Sequence, residues 1–169
     1  MSQIENNSQS MAICLWFDTQ AEEAARFYTS IFKNSSIGNI TRFGKEGFEV
    51  HGMPEGTAMT VDFELNGMKF IAINGGPIFK FSEAISIVVN CENQEEIDHY
   101  WEHLTLEGEA SQCGWLKDKF GVSWQIIPTI LPKFFAEQDP EKKSRVMGTL
   151  YQMTKFNIQA MKEAYEGKV

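Results

Sequence analysis

The dipeptide Asn66-Gly67 constrains the fold of this chain more than any other feature. Before it, from Thr57 to Leu65, Met59, Val61, Phe63 and Leu65 alternate with Thr60, Asp62 and Glu64, the period of a strand with one apolar and one polar face. After it, Met68 to Asn74 has the length and composition of a return strand, and Gly75-Gly76-Pro77 stops it. A two-residue Asn-Gly connection selects a type I′ turn, because both central residues need φ > 0 and these two tolerate it. The chain is therefore built around an antiparallel hairpin.

The elements before and after this hairpin follow a repeated order. Met11 to Phe17 is an apolar run of strand length, and Thr19 and Glu22 have capping-box spacing for a helix whose stripe is Ala24, Phe27, Tyr28 and Ile31. Asn34-Ser35-Ser36 ends that helix, Ile37 to Phe43 reads as a second strand, and Gly44 to Gly56 as a loop or irregular hairpin. Ala84 to Val89 then reads as a new strand with Ile85, Ile87 and Val89 on one face. Asn93 and Glu96 repeat the capping spacing ahead of the helical stripe Ile97, Tyr100, Trp101 and Leu104. Short strands around Ala110 to Lys117, split near Gly114, lead through the turn Asp118 to Gly121 into a strand from Val122 to Ile127. There Val122, Trp124 and Ile126 face one way, Ser123, Gln125 and Ile127 the other, and Pro128 closes the ladder. Strand, helix and three strands thus occur twice, over about residues 12–74 and 84–127, which predicts an α+β fold of two βαβββ modules.

Behind the second module, Ile130 to Gln138 predicts a short helix. Asp139-Pro140 starts a longer one, with an N-cap and Pro at the first helical position. Its stripe, Met147, Leu150, Tyr151, Thr154, Ile158, Met161 and Tyr165, needs a surface to cover it, either the domain's own sheet or a second copy of the chain. The domain proper is expected over residues 11–128, the C-terminal helices over 129–169, and a polar, frayed terminus over 1–10.

Fifteen basic against twenty-three acidic residues give a net charge of −8, with the cations scattered, so a nucleic-acid partner is not expected. No apolar run of about 18 residues or more occurs and residues 1–10 lack a leader's apolar core, so no membrane association and a cytoplasmic location are expected. Cys14, Cys91 and Cys113 are odd in number and lack CxxC spacing, which reads as reduced thiols. His99 and His103 stand at i, i+4 but off the apolar stripe, as surface residues, and His51 sits in the Gly-rich loop. Cys14 neighbours the expected cavity strand without a visible base.

Asp62 with Thr60, on the polar face of the hairpin, offers an acid or base if that face lines a pocket; the alternative is a solvated sheet face. Phe79, Phe81 and Trp115 are aromatics that wall a pocket or fill a core. Neither Gly44-Lys45-Glu46-Gly47 nor Gly75-Gly76-Pro77 precedes a helix with the spacing that S-adenosylmethionine sites use.

Taken together, Trp16-Phe17-Asp18, Ala21-Glu22-Glu23-Ala24-Ala25, Phe63-Glu64-Leu65-Asn66-Gly67, Asn74-Gly75-Gly76-Pro77 and Asp118 to Gln125 resemble the PhnB-like branch of the glyoxalase, bleomycin-resistance and extradiol dioxygenase superfamily. This vicinal oxygen chelate branch is described as 3-demethylubiquinone-9 3-methyltransferase-like. The resemblance implies two βαβββ modules curling a mixed sheet around a cleft, and a homodimer. It also implies that the positions holding a metal in catalytic superfamily members are here about Ile13, Asn74, Ala84 or Ser86, and Gln125. Alkyl groups, amides and a hydroxyl cannot replace the hydration of a divalent ion, so neither metal nor cofactor is expected.

Under that register Thr60, Asn74, Phe79, Ser86, Trp115 and Gln125 are expected to bind a small, largely apolar or aromatic molecule, with Asp62 as the catalytic candidate. For Asn74 and Gln125 an internal hydrogen bond is the competing expectation. An enzyme, whether a methyltransferase or a metal-independent lyase or isomerase using Asp62, and a purely structural role are the alternatives.

Overall fold

The computed structural model describes residues 11–168, so the frayed terminus expected over residues 1–10 lies outside the described residues. The chain divides into two compact units between Lys80 and Phe81.

The first unit contains β1 (Ile13–Phe17), α1 (Ala21–Ile31), β2 (Ser35–Arg42), the short α2 (Phe48–His51), β3 (Ala58–Leu65) and β4 (Met68–Asn74). Its sheet has the order β1-β4-β3-β2, with β1 parallel to β4 and the other pairs antiparallel. Asn66 at φ 47° and Gly67 at φ 86° make the expected hairpin turn, with Leu65 opposite Met68. One face is covered by α1: Leu15, Phe17, Val61, Phe63, Phe70 and Ala72 are buried, as are Ala24, Ala25 and Tyr28 of the helix. Tyr28 stacks on Phe63 at 6.1 Å and Phe63 on Phe70 at 5.0 Å. Burying each such large side chain contributes roughly 1.5–3 kcal/mol. Met59 departs from the predicted alternation and is 38% exposed while Ala58 is buried. A register shift opposite Thr41 and Arg42 leaves Met59 as the extra residue of a bulge, which turns the strand over before Thr60.

The second unit contains β5 (Ile87–Cys91), α3 (Gln94–Thr105), β6 (Glu109–Ala110), β7 (Trp115–Lys117) and β8 (Ser123–Pro128), followed by α4 (Leu131–Phe135), α5 (Pro140–Tyr151) and α6 (Ile158–Glu166). Its sheet order, β5-β8-β7-β6, repeats that of the first unit, with β5 parallel to β8. The α+β fold of two βαβββ modules holds, and each module builds its own four-stranded mixed sheet. The fifth strand begins at Ile87, not at Ala84, and Ile85 is 79% exposed in a turn. Asn93 caps α3, accepting from Glu96 N, while the Glu96 carboxylate accepts from Glu92 N. Asp118, 4% exposed, accepts from Phe120 N, Val122 N and Trp124 Nε1, which fixes the turn into β8.

The single long C-terminal helix is a correction. It breaks after Tyr151, and Asn157 caps a new helix by accepting from Ala160 N. The break has a cause: Phe156 is buried, and Cys113 N and Gly114 N donate to Met153 O and Thr154 O. Gln94 completes the tie, donating from Nε2 to Phe156 O and accepting from Ile158 N. Val146, Leu150, Met161 and Ala164 are buried within the unit, while Tyr151 of the predicted stripe is 62% exposed.

Candidate functional site

One face of each sheet is packed against α1 or α3, and strand register decides which side chains lie on the opposite, open face. In the first unit the rungs Cys14, Ile71 and Asp62, and Trp16, Ile73 and Thr60, run across β1, β4 and β3 on that open face. Ile13 is on the other side with Leu15 and Phe17, and so is Asn74, two residues after Ala72.

Thr60 Oγ1 is 2.6 Å from Thr41 Oγ1. Asp62 is half-buried and has no hydrogen-bond or ion-pair partner among the described residues. Opposite it, β2 carries a bulge at Gly38-Asn39, and a Cβ on Gly38 would lie 3.3 Å from that of Asp62. A pocket of 340 Å³ here is lined by Ser36, Gly38, Asn39, Asp62, Glu64 and Ile71, a volume within the roughly 300–1,000 Å³ of small-molecule sites. Trp16 donates from Nε1 to Gly76 O, and Phe79, 62% exposed, meets the Trp16 ring edge-on at 5.0 Å. The Cys14 thiol is raised above its ordinary value by partial desolvation, which disfavours the nucleophilic thiolate.

Asn74, by contrast, is committed. It is 2% exposed, accepts from Ala21 N at 2.8 Å and donates to Ala58 O at 2.9 Å. Both ends of its amide are spent on backbone. The capping box expected from Thr19 and Glu22 does not form, since Gln20 is the N-cap without a side-chain bond and Glu22 holds Arg26 and Arg42. Asn74 supplies the missing cap from another strand.

In the second unit the equivalent rung is Val88, Gln125 and Trp115. Gln125 Nε2 donates to Ser86 Oγ at 2.8 Å, and Trp115 is half-buried beside it. Lys117, opposite Ser123, pairs with Glu83 at 2.5 Å. Glu83, Glu109, Ser111, Trp115 and Lys117 line a pocket of 370 Å³. Ser123 is 2% exposed, and its Oγ has no hydrogen-bond partner among the described residues.

The structure therefore brings Thr60 and Asp62 together on one open face, and Ser86, Trp115 and Gln125 on the other, while Asn74 turns away to the helix. Trp16 and Ser123 were not among the expected site residues, although alternation along β1 and β8 places them on these faces. Of the positions that the resemblance assigned to a metal, Ile13 and Asn74 lie on the covered face, which leaves a hydroxyl and an amide, Ser86 and Gln125, on an open one. That donor set does not fit a divalent ion. Among the described residues no group of three His, Cys, Asp or Glu side chains is placed to hold one.

The profile of the family described as 3-demethylubiquinone-9 3-methyltransferase matches residues 9–127. Among solved structures, a PhnB protein from Bacillus cereus is 37% identical, with 72% of this chain and 100% of that one covered and a TM-score of 0.65. A Pseudomonas aeruginosa protein is 17% identical over 72% of this chain and 98% of its own, at a TM-score of 0.56. A genomically encoded fosfomycin resistance protein from Listeria monocytogenes is 16% identical over 78% and 99%, at 0.51. The last two share the fold alone. No curated protein sequence matches the chain.

Proposed function

Because the chain belongs to the 3-demethylubiquinone-9 3-methyltransferase family, in its PhnB-like branch with glyoxalase-type modules, we propose that it binds a small, largely apolar or aromatic molecule on the open faces of its sheets, without a metal ion. The observation that carries this reading is the make-up of those faces. Trp16, Ile71 and Ile73 surround Thr60 and Asp62 in the first unit, and Val88, Ile127 and Trp115 surround Gln125 in the second. Such sites hold ligands by apolar area and use a few polar groups for orientation.

A thermal-shift screen tests it. Aromatic compounds are expected to raise the melting temperature, because a ligand that binds only the native state stabilises it. A panel of aromatic and aliphatic compounds that leaves the transition unmoved refutes the reading. One ion of Zn, Ni, Fe or Mn per chain by elemental analysis refutes its metal-free part. The reading also takes the protein as a cytoplasmic homodimer, and sedimentation equilibrium at micromolar protein tests the dimer.

The family description favours a second reading, methyl transfer. Gly47 opens only the four-residue α2, and Gly75-Gly76-Pro77 is followed by no helix before α3, which leaves S-adenosylmethionine without the usual glycine turn and helix. Stabilisation by S-adenosylmethionine itself would establish that reading in place of simple binding. If the bound molecule is turned over, we assign the proton transfer to Asp62.

A further inference from the structure

His51, which the sequence leaves in a Gly-rich loop, is the hub of that loop in the structure. The base of the loop is closed by main-chain bonds that do not involve it: Phe43 N donates to Thr57 O and Gly56 N to Phe43 O, each at 2.9 Å. Beyond that base, α2 stands between two glycines in the left-handed region, Gly47 at φ 79° and Gly52 at φ 67°. Glycine leaves and re-enters that region at little steric cost, so the two serve as hinges.

The His51 ring lies over Phe43 with centroids 4.5 Å apart and meets the Phe48 ring edge-on at 6.3 Å. Main chain engages both of its nitrogens. Met53 N is 3.0 Å from Nδ1, and Nε2 is 3.2 Å from Glu46 O. An amide N–H can only donate and a carbonyl can only accept, so Nδ1 carries the lone pair and Nε2 the proton. The geometry specifies one tautomer of the neutral ring. A second proton would sit on Nδ1 and point at the Met53 N–H, turning that bond into a repulsion. Met53 is where the loop returns to the core, its side chain 7% exposed.

The charged groups of the loop and its flanking elements are otherwise engaged or exposed. Lys45 pairs with Glu55 at 3.8 Å, Glu46 and Glu49 are exposed, and at the end of β2 Arg42 holds Glu22 of α1 and Gly56 O. His51 has no ion-pair partner among the described residues.

We propose that residues 44–56 form a flap at the Phe43 edge of the first sheet's open face, latched by neutral His51 and released by acid. Phe43 stands two residues beyond Thr41, whose hydroxyl meets that of Thr60, so alternation puts the Phe43 ring on the open side. Release pivots α2 about Gly47 and Gly52 and uncovers that ring, while the Phe43–Thr57 base stays paired. The latched state excludes a proton that the released one accepts, so the released fraction grows as pH falls. A solvated imidazole takes that proton at about pH 6.5, which moves the balance about tenfold towards release between about pH 7.5 and 5.5. The latch works whatever molecule that face binds.

Amide hydrogen exchange on the full, unliganded chain, followed by NMR and corrected for the intrinsic pH dependence of exchange, tests it. Protection of Met53 N–H is expected to fall about tenfold from about pH 7.5 to 5.5, while Phe43 and Gly56 N–H keep theirs. His51→Asn offers an amide oxygen where Nδ1 stands and does not titrate, so its Met53 protection is expected to stay level over that range. His51→Phe keeps the stack on Phe43 without either bond and is expected to be released at both pH values. Level Met53 protection in the wild-type chain, the same fall in His51→Asn, an equal fall at Phe43 and Gly56, or a protected Met53 in His51→Phe overturns the inference. No ligand enters these measurements, so such a result leaves the binder reading untouched, and a failed ligand screen leaves the latch standing.

Discussion

The two modules share a strand order and a five-rung parallel ladder, yet they solve one local problem differently. Phe17 pairs with Asn74 in the first and Cys91 with Pro128 in the second, so these close equivalent strands. The first module's helix has no side-chain cap of its own and takes Asn74 from β4, 53 residues along the chain. The second module's helix is capped by Asn93 at its own start. Local capping leaves β8 free of that duty, and its amide, Gln125, faces the open side. The rung equivalent to Gln125 in the first module is Ile71, flanked by Cys14 and Asp62. The repeated architecture has thus kept its strand order while using its polar side chains differently, Asn74 being spent on backbone and Gln125 facing the open side.

The comparison breaks if the two caps prove interchangeable. Asn74→Ala orphans Ala21 N–H and the Ala58 carbonyl in the core, and is expected to cost about 3 kcal/mol in urea unfolding. Asn93→Ala removes an exposed cap and is expected to cost about 1 kcal/mol by the same measurement. Equal losses would mean that Asn74 is no buried tie. Asp62→Asn should change stability by less than about 0.5 kcal/mol, because no partner is lost; a larger fall in the urea midpoint would show that the open face is structural.

The smallest effect belongs to acid. Backbone N–H of Asp139 and the Tyr165 hydroxyl hold the Glu137 carboxyl down to about 2 from an ordinary 4.5. A depressed carboxylate stabilises the native state above its unfolded value, and that contribution is lost as pH falls from 4.5 towards 2. Glu137 is solvent-facing, so a slight loosening of α4 from α6 is expected, followed by the Tyr165 ring signals in NMR. Ring signals that shift fully above pH 4.5 would contradict it.

What was legible in the sequence was whatever local chemistry decides. Asn66-Gly67 has the dihedrals its turn demands, and Asn93 and Asp139-Pro140 cap the helices they precede. What was not legible depends on distant partners. Thr19 has the spacing of a cap, but a strand residue takes the duty. The periodicity from Met147 to Tyr165 reads as one helix, but Phe156 is drawn into the core and Asn157 starts afresh. Met59 continues an alternation that a bulge, invisible without β2 beside it, reverses. For the site, alternation sorted Thr60 with Asp62 and Ser123 with Gln125. It could not tell which amide would be consumed by backbone, because Ala21 and Ala58 are neighbours of Asn74 only in three dimensions.

Gly114 carries a last consequence. At φ 79°, with room for no side chain, since a Cβ would come within 2.6 Å of the Phe156 ring and 2.7 Å of Ile126 O, it admits the 153–156 segment like a button into a buttonhole. The final helix is therefore fastened to the second sheet at the point where β7 begins. A protease that nicked the chain near Tyr151 would therefore free no independent tail, because Cys113, Gly114 and Gln94 would still grip the piece beyond the cut.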